Sequence, residues 1–99
     1  MSDRHQRVES LVRELAAKFI LEEANSDPMI TVTHVSTSPD YKRVTVFVTT
    51  IPSEKEADAL IFLKRYAGAL RIFIKKRTNL KNIPHIEFEI DHGERHRQH

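Results

Sequence analysis

Twice between Ile30 and Thr50 the chain alternates apolar and polar residues, and no other feature constrains its fold as much. Val44, Val46 and Val48 fall on one side of the second run, and Thr45, Phe47 and Thr49 on the other. In the first run Ile30, Val32 and, less regularly, Val35 are interleaved with Thr31, Thr33 and His34. β-Branched residues at a period of two make strands with one apolar face. Ser36 to Lys42, with Ser38-Pro39-Asp40 inside it, is turn chemistry. The two runs therefore predict an antiparallel hairpin. A hairpin that is apolar on one side only must be covered there by other elements, and the flanking segments have helical periodicity.

Before the hairpin, Val8, Leu11, Val12, Leu15, Ala16, Phe19 and Ile20 keep a three-and-four spacing over three turns. Met1 to Gln6 is polar and expected to fray, and Asn25-Ser26-Asp27-Pro28 ends the helix, because proline disfavours helical geometry in the residue before it. After the hairpin, Ser53 with Glu56 has the form of a capping box. Ala57, Leu60, Ile61, Ala67, Leu70, Phe73 and Ile74 then predict a helical face interrupted by Lys64. Gly68 interrupts the helical pattern at a cost of about 1 kcal/mol relative to alanine, so a break into two helices is expected there. Ile83-Pro84 leads into a last strand, Ile86 to Ile90. The expected class is α+β, in the order helix, strand, strand, helix, helix, strand, with helices on one face of a three-stranded sheet. At 99 residues this is one domain, with a core over about residues 6–91 and a polar, disordered tail at 92–99.

There is no cysteine, so neither disulfides nor thiolate sites contribute. No apolar run approaches the ~18 residues of a membrane span, and a cytoplasmic protein is expected. The formal net charge of +2 is small, but its distribution is uneven. From Lys64 to Lys81 the charged residues are Lys64, Arg65, Arg71, Lys75, Lys76, Arg77 and Lys81, with no acid among them. The acids concentrate at residues 9–23, 54–58 and 87–94. Local positive excess is what attracts a phosphate backbone. Lys64, Arg65, Arg71, Lys75, Lys76 and Lys81 are thus the candidate RNA contacts, with Gly68 a point of close backbone approach. Arg4 and Arg7 extend the patch if the first helix ends nearby. The competing reading is a solvated basic helix face.

Tyr41 and Tyr66 are the rings able to stack on bases, although Tyr66 is better placed to fill a kink. His92, His96 and His99 invite a metal reading, since His92 and His96 have the four-residue spacing of two ligands. Gly93 sits between them, however, and no helix signal precedes the tail, so no metal site is expected. His34 and His85, in or beside strands, read as structural. Glu87 and Glu89 lie two apart on the polar face of their strand, and no Ser, His and Asp spacing suggests a triad. No enzyme activity, cofactor or small-molecule substrate is expected.

The order and spacing of these segments resemble the ribosome-binding factor A family. The resemblance is carried by Gln6-Arg7-Val8 opening the first helix, Asp27-Pro28 after it, and Val35, Ser38 and Asp40 at the turn. It continues through Val44, Val46, Phe47 and Val48, then Gly68 with Leu70-Arg71, and Pro84 before the last strand. It spans about residues 4–91. It implies a KH-like domain of type II, with an Ala-x-Gly kink between two helices where ordinary KH domains carry a Gly-x-x-Gly loop. Here those positions are Tyr66-Ala67-Gly68, with tyrosine in place of the first alanine. The implied function is non-catalytic. The protein would associate as a monomer with the immature small (30S) ribosomal subunit and its rRNA and assist late 16S rRNA maturation. The alternatives are a generic KH-like RNA-binding protein and a protein-interaction module.

Overall fold

The structure, a computed structural model, describes residues 3–24 and 28–93. The elements are α1 (Asp3–Glu23), β1 (Met29–Thr37), β2 (Arg43–Ile51), a 3-10 turn at Ser53–Lys55, α2 (Glu56–Arg77) and β3 (His85–Ile90). The expected Asn25–Asp27 helix stop and the histidines His96 and His99 lie outside the described residues. The amino terminus differs from expectation, since α1 is already helical at Asp3.

The sheet has the order β1-β2-β3. β1 and β2 pair antiparallel, from Met29 opposite Ile51 to Thr37 opposite Val44. β2 and β3 pair parallel, from Arg43 opposite His85 to Val48 opposite Ile90. A parallel pair needs a crossover, and α2 supplies it. This is the expected KH-like α+β arrangement. Val32 pairs with Val48 and His34 with Phe47, so Thr33 is an extra residue, a β-bulge. The bulge explains the irregular alternation in β1: Val32 and Val35, three apart, both reach the core. The Thr33 hydroxyl donates to the Asp91 carboxylate and faces the Phe47 carbonyl at 3.3 Å, tying β1 to the end of β3.

The hairpin turn is closed by its own side chains. The Ser38 hydroxyl donates to Asp40 Oδ1 (2.7 Å), which also accepts from the Lys42 amide (3.0 Å), and the Arg43 amide donates to Ser38 Oγ (3.1 Å). The Ser38 hydroxyl first, and then the Lys42 amide, hold the Asp40 carboxyl below the ordinary carboxylate range. Tyr41 turns the chain at φ 63°, a left-handed geometry that costs a tyrosine on the order of 1 kcal/mol or more.

Val44, Val46 and Val48 are fully buried, with Val32, Val35, Ile86 and Phe88 beside them. α1 covers β1 with Val12, Leu15, Ala16, Phe19 and Ile20, and α2 covers the β3 side with Leu63, Leu70 and Ile74. The helices meet where Phe19 packs edge-on against Phe73 (5.3 Å) and tilted against Tyr66 (6.2 Å). The opposite side of the sheet carries His34, Thr45, Phe47, Glu87 and Glu89, and His34 lies against Phe47 at 5.5 Å.

Three expectations for α2 need correction. The break at Gly68 is absent: the helical stretches on either side are two halves of one continuous 22-residue helix. Ala67 and Ala69 flank the glycine, and Leu63 and Leu70 are fully buried on either side of it, so a penalty of about 1 kcal/mol is outweighed. Ser53 does not cap the helix. It lies inside the 3-10 turn, whose Lys55 amide donates to the Pro52 carbonyl (3.1 Å), and α2 starts after Lys55 with no side-chain cap. The acids Glu56 and Asp58 in the first turn favour the helix dipole instead. The buried face is also rotated. Ala59, Leu63, Leu70 and Ile74 point inward, while Ala57 and Ile61 are exposed, which keeps the Lys64 ammonium in water.

Leu70→Ala should leave a cavity beneath α2 and cost ~2–5 kcal/mol, read as a lower urea midpoint at unchanged slope.

Candidate nucleic-acid interface

Because α2 buries one side, the positions opposite form a second stripe. Lys64, Gly68 and Lys75 lie along it, at intervals of four and seven residues, with Arg65 and Lys76 beside them, and all five are exposed. No carboxylate among the described residues pairs with Lys64, Arg65, Lys75 or Lys76. Lys75, Lys76 and Arg77 also end α2, where cations offset the partial negative charge of the helix terminus. That accounts for basic residues in the last turn. It does not account for Lys64 and Arg65, which sit in the middle of the helix.

Gly68 lies within this stripe. A Cβ built on it meets nothing within 4 Å, so no packing inside the chain requires a glycine there. Ile61 and Ile72, 55% and 57% exposed, flank it along the helix. The face is therefore mixed: ammonium and guanidinium groups around an apolar strip with a bare backbone patch between.

The remaining predicted contacts are elsewhere. The Arg71 guanidinium donates from Nε to the Pro84 carbonyl (3.1 Å) and from Nη2 to the Ile83 carbonyl (2.9 Å), bracing the loop between α2 and β3. Arg77 lies over the Phe73 ring at 3.7 Å. Arg71 and Lys81 line a cleft together with Arg4, whose guanidinium is 5.2 Å from the centroid of the Tyr41 ring. Arg7 joins neither group; it lines a shallow depression on α1 with Ser10 and Glu14. Tyr66 and Ala67 are half-buried, with the Tyr66 ring 4.6 Å from Phe62, so Tyr66 packs between the helices rather than on the exposed stripe.

Two features are not legible from local sequence. The exposed pair Ile61 and Ile72 becomes visible only once the buried face of α2 is known. Lys42 and Tyr41 enter the cleft because the hairpin turn folds back beside the loop at residues 79–85. Among the described residues no three metal-ligating side chains converge, and no helix is long and apolar enough to cross a membrane.

A family model described as ribosome-binding factor A matches residues 4–99. The chain belongs to the ribosome-binding factor A family. Ribosome-binding factor A of Methylobacterium sp. (strain 4-46) is 38% identical over 95 residues, covering 91% of this chain and 68% of that one. The crystal structure of ribosome-binding factor A from Thermus thermophilus matches with a TM-score of 0.75 at 25% identity, covering 87% of this chain and 94% of the other. A homology model of the Thermus thermophilus protein, fitted into a cryo-EM map of a 30S complex with ribosome-binding factor A, matches at a TM-score of 0.73. It is 24% identical over 84% of this chain and 90% of that one, a likeness of fold. In this member of the ribosome-binding factor A family, the glycine of the Tyr66-Ala67-Gly68 segment lies within an unbroken helix.

Since the Gly68 Cβ position is open, Gly68→Ala should raise stability by about 1 kcal/mol through helix propensity, measured as a higher urea midpoint.

Proposed function

We propose that this chain binds the immature small ribosomal subunit through the exposed stripe of α2 and assists late 16S rRNA maturation without catalysing a reaction. The observation that carries the proposal is the set Lys64, Arg65, Lys75 and Lys76, without carboxylate partners among the described residues, on one rigid face with Gly68 open among them. Cations held on a helix make phosphate contacts that position a protein on RNA without reading its sequence. A glycine with no neighbour lets a partner's backbone come close to the helix. Membership of the ribosome-binding factor A family, and the 30S complex of the Thermus thermophilus protein, support the subunit as the partner.

The mechanism is one of differential affinity. A binding factor shifts rRNA toward one conformation only to the extent that it binds that conformation more tightly than its competitors. The proposed role needs no cofactor, and the chain acts in the cytoplasm as a monomeric KH-like domain. Arg71 has a supporting part here: it holds the loop after α2, and its charge adds to the field without a full guanidinium fork to offer.

Lys64→Glu with Lys75→Glu should weaken co-sedimentation with small subunits while thermal unfolding stays unchanged. The slope of log affinity against log salt should fall by about one per lost phosphate contact. Wild-type affinity and slope in the folded double variant would remove this face from the mechanism.

Gly68→Leu offers a steric test at constant charge. The variant should fold at least as stably as the parent, because the position is open and leucine is a better helix former. Its subunit binding should nevertheless drop, with the salt slope preserved. Undiminished binding would show that nothing approaches the helix at Gly68.

A further inference from the structure

The cleft beside the carboxyl-terminal half of α2 is not part of the exposed stripe. It has a volume of about 840 Å³, within the ~300–1,000 Å³ range of small-ligand pockets. Three separate segments build it: the first turns of α1, the hairpin turn at residues 40–42, and the loop at residues 79–85. Each contributes a cation, namely Arg4, Lys42 and Lys81, and Arg71 adds a fourth from α2. His85 lies at the rim, 3.8 Å from the Glu87 carboxylate. Among the described residues that line the cleft the acid is Asp40, and its Oδ1 already accepts from the Ser38 hydroxyl and the Lys42 amide. Four cations against one acid make this described lining net positive.

Charge alone would suit any anion; the other lining groups narrow the choice. Tyr41 presents an aromatic ring from a left-handed backbone position that favours glycine or asparagine. The Arg4 guanidinium lies over that ring, and planar groups of this kind are what unstacked bases pack against. Asn79 and Asn82 add amide groups that can both donate and accept, the chemistry that pairs with base edges. Val8, Leu80, Ile83 and Pro84 supply apolar surface below them. The loop that carries Asn79, Lys81 and Asn82 is pinned by the two Arg71 hydrogen bonds, so the lining is preorganised.

We infer that this cleft takes a single unstacked nucleotide of single-stranded RNA, its phosphate held by Lys42 and Lys81 and its base set against Tyr41 and Arg4, within reach of Asn79 and Asn82. The inference rests on the RNA-binding reading above and deepens it. The α2 stripe holds backbone, and the cleft distinguishes a looped-out or terminal nucleotide from duplex.

The test is a titration of isotope-labelled full-length protein, followed by amide NMR, with a uridine dinucleotide, with a mononucleotide and with inorganic phosphate. The dinucleotide should move the side-chain amides of Asn79 and Asn82 and the backbone amides of residues 40–42 saturably. Phosphate alone should leave the asparagine side chains in place. The mononucleotide should move the same signals, since one phosphate and one base fill the cleft. Asparagine side chains left in place by both nucleotides would overturn the base assignment, and shifts confined to the α2 stripe would overturn the cleft altogether.

A variant combining Tyr41→Gly, Lys42→Gln and Lys81→Gln keeps the turn geometry and should bind a short unstructured RNA at least tenfold more weakly. Equal affinity in that variant would overturn the inference. Lys64→Glu with Lys75→Glu separates the two readings. If that variant loses subunit binding while the cleft variant loses nothing, the cleft falls and the proposed function stands. If the cleft variant alone loses RNA, and neither variant affects subunit binding, the cleft stands and the α2 stripe falls as the subunit contact.

Discussion

The rest of the structure depends on β2, whose Val44, Val46 and Val48 are buried on one side of the sheet while the alternate residues face the other way. A central strand with one apolar side requires both helices to lie on that side, since each buried valine would otherwise lose on the order of 1.5–3 kcal/mol of transfer free energy. Once α2 is confined there, it has one buried face and one free face. The cations between Lys64 and Lys76 have nowhere else to go but the free face or its borders. The candidate interface is thus a geometric consequence of the core.

Within that scheme, like side chains have unlike duties. Arg71 and Arg77 belong to the same run of positive charge as Lys64 and Lys75, yet Arg71 satisfies two loop carbonyls and Arg77 lies over Phe73. Backbone carbonyls near a chain reversal need donors, and a guanidinium within reach on the same chain supplies them. These two arginines are drawn into the structure, and the lysines of α2 stay available.

Strand and helix periodicity make much of this fold legible in the sequence. The α1 core positions and the one-sided hairpin are as expected, because periods of 3.6 and 2 are properties of the residues themselves. The irregular spacing around Val35 is a readable sign of the bulge at Thr33. Gly68 misleads, because a propensity cost in one residue is small against packing on both sides of it. Ser53 misleads because a capping box is a local pattern, and the neighbouring Pro52 carbonyl draws Ser53 into a 3-10 turn. The basic block is visible, but not its division between an α2 stripe and a cleft. That division depends on which way Arg71 turns and on where the turn at Tyr41 comes to rest, both of which are tertiary facts.

The sheet side turned away from the helices has a further consequence. It carries Glu87 and Glu89, whereas the far side of the molecule carries Lys64, Arg65, Lys75 and Lys76. With principal extents of 37 × 35 × 16 Å the protein is a thin slab. The lysines of α2, unpaired among the described residues, lie on the side away from Glu87 and Glu89, of which Glu87 is ion-paired with Arg43 at 3.9 Å. Near a large polyanion such a slab feels a torque as well as a pull. It would be turned helix-side inward before contact, a gain in encounter rate that fades as added salt shortens the Debye length to about 10 Å or less. A net charge of +2 understates the local excess on α2, where Lys64, Arg65, Lys75 and Lys76 share one exposed face.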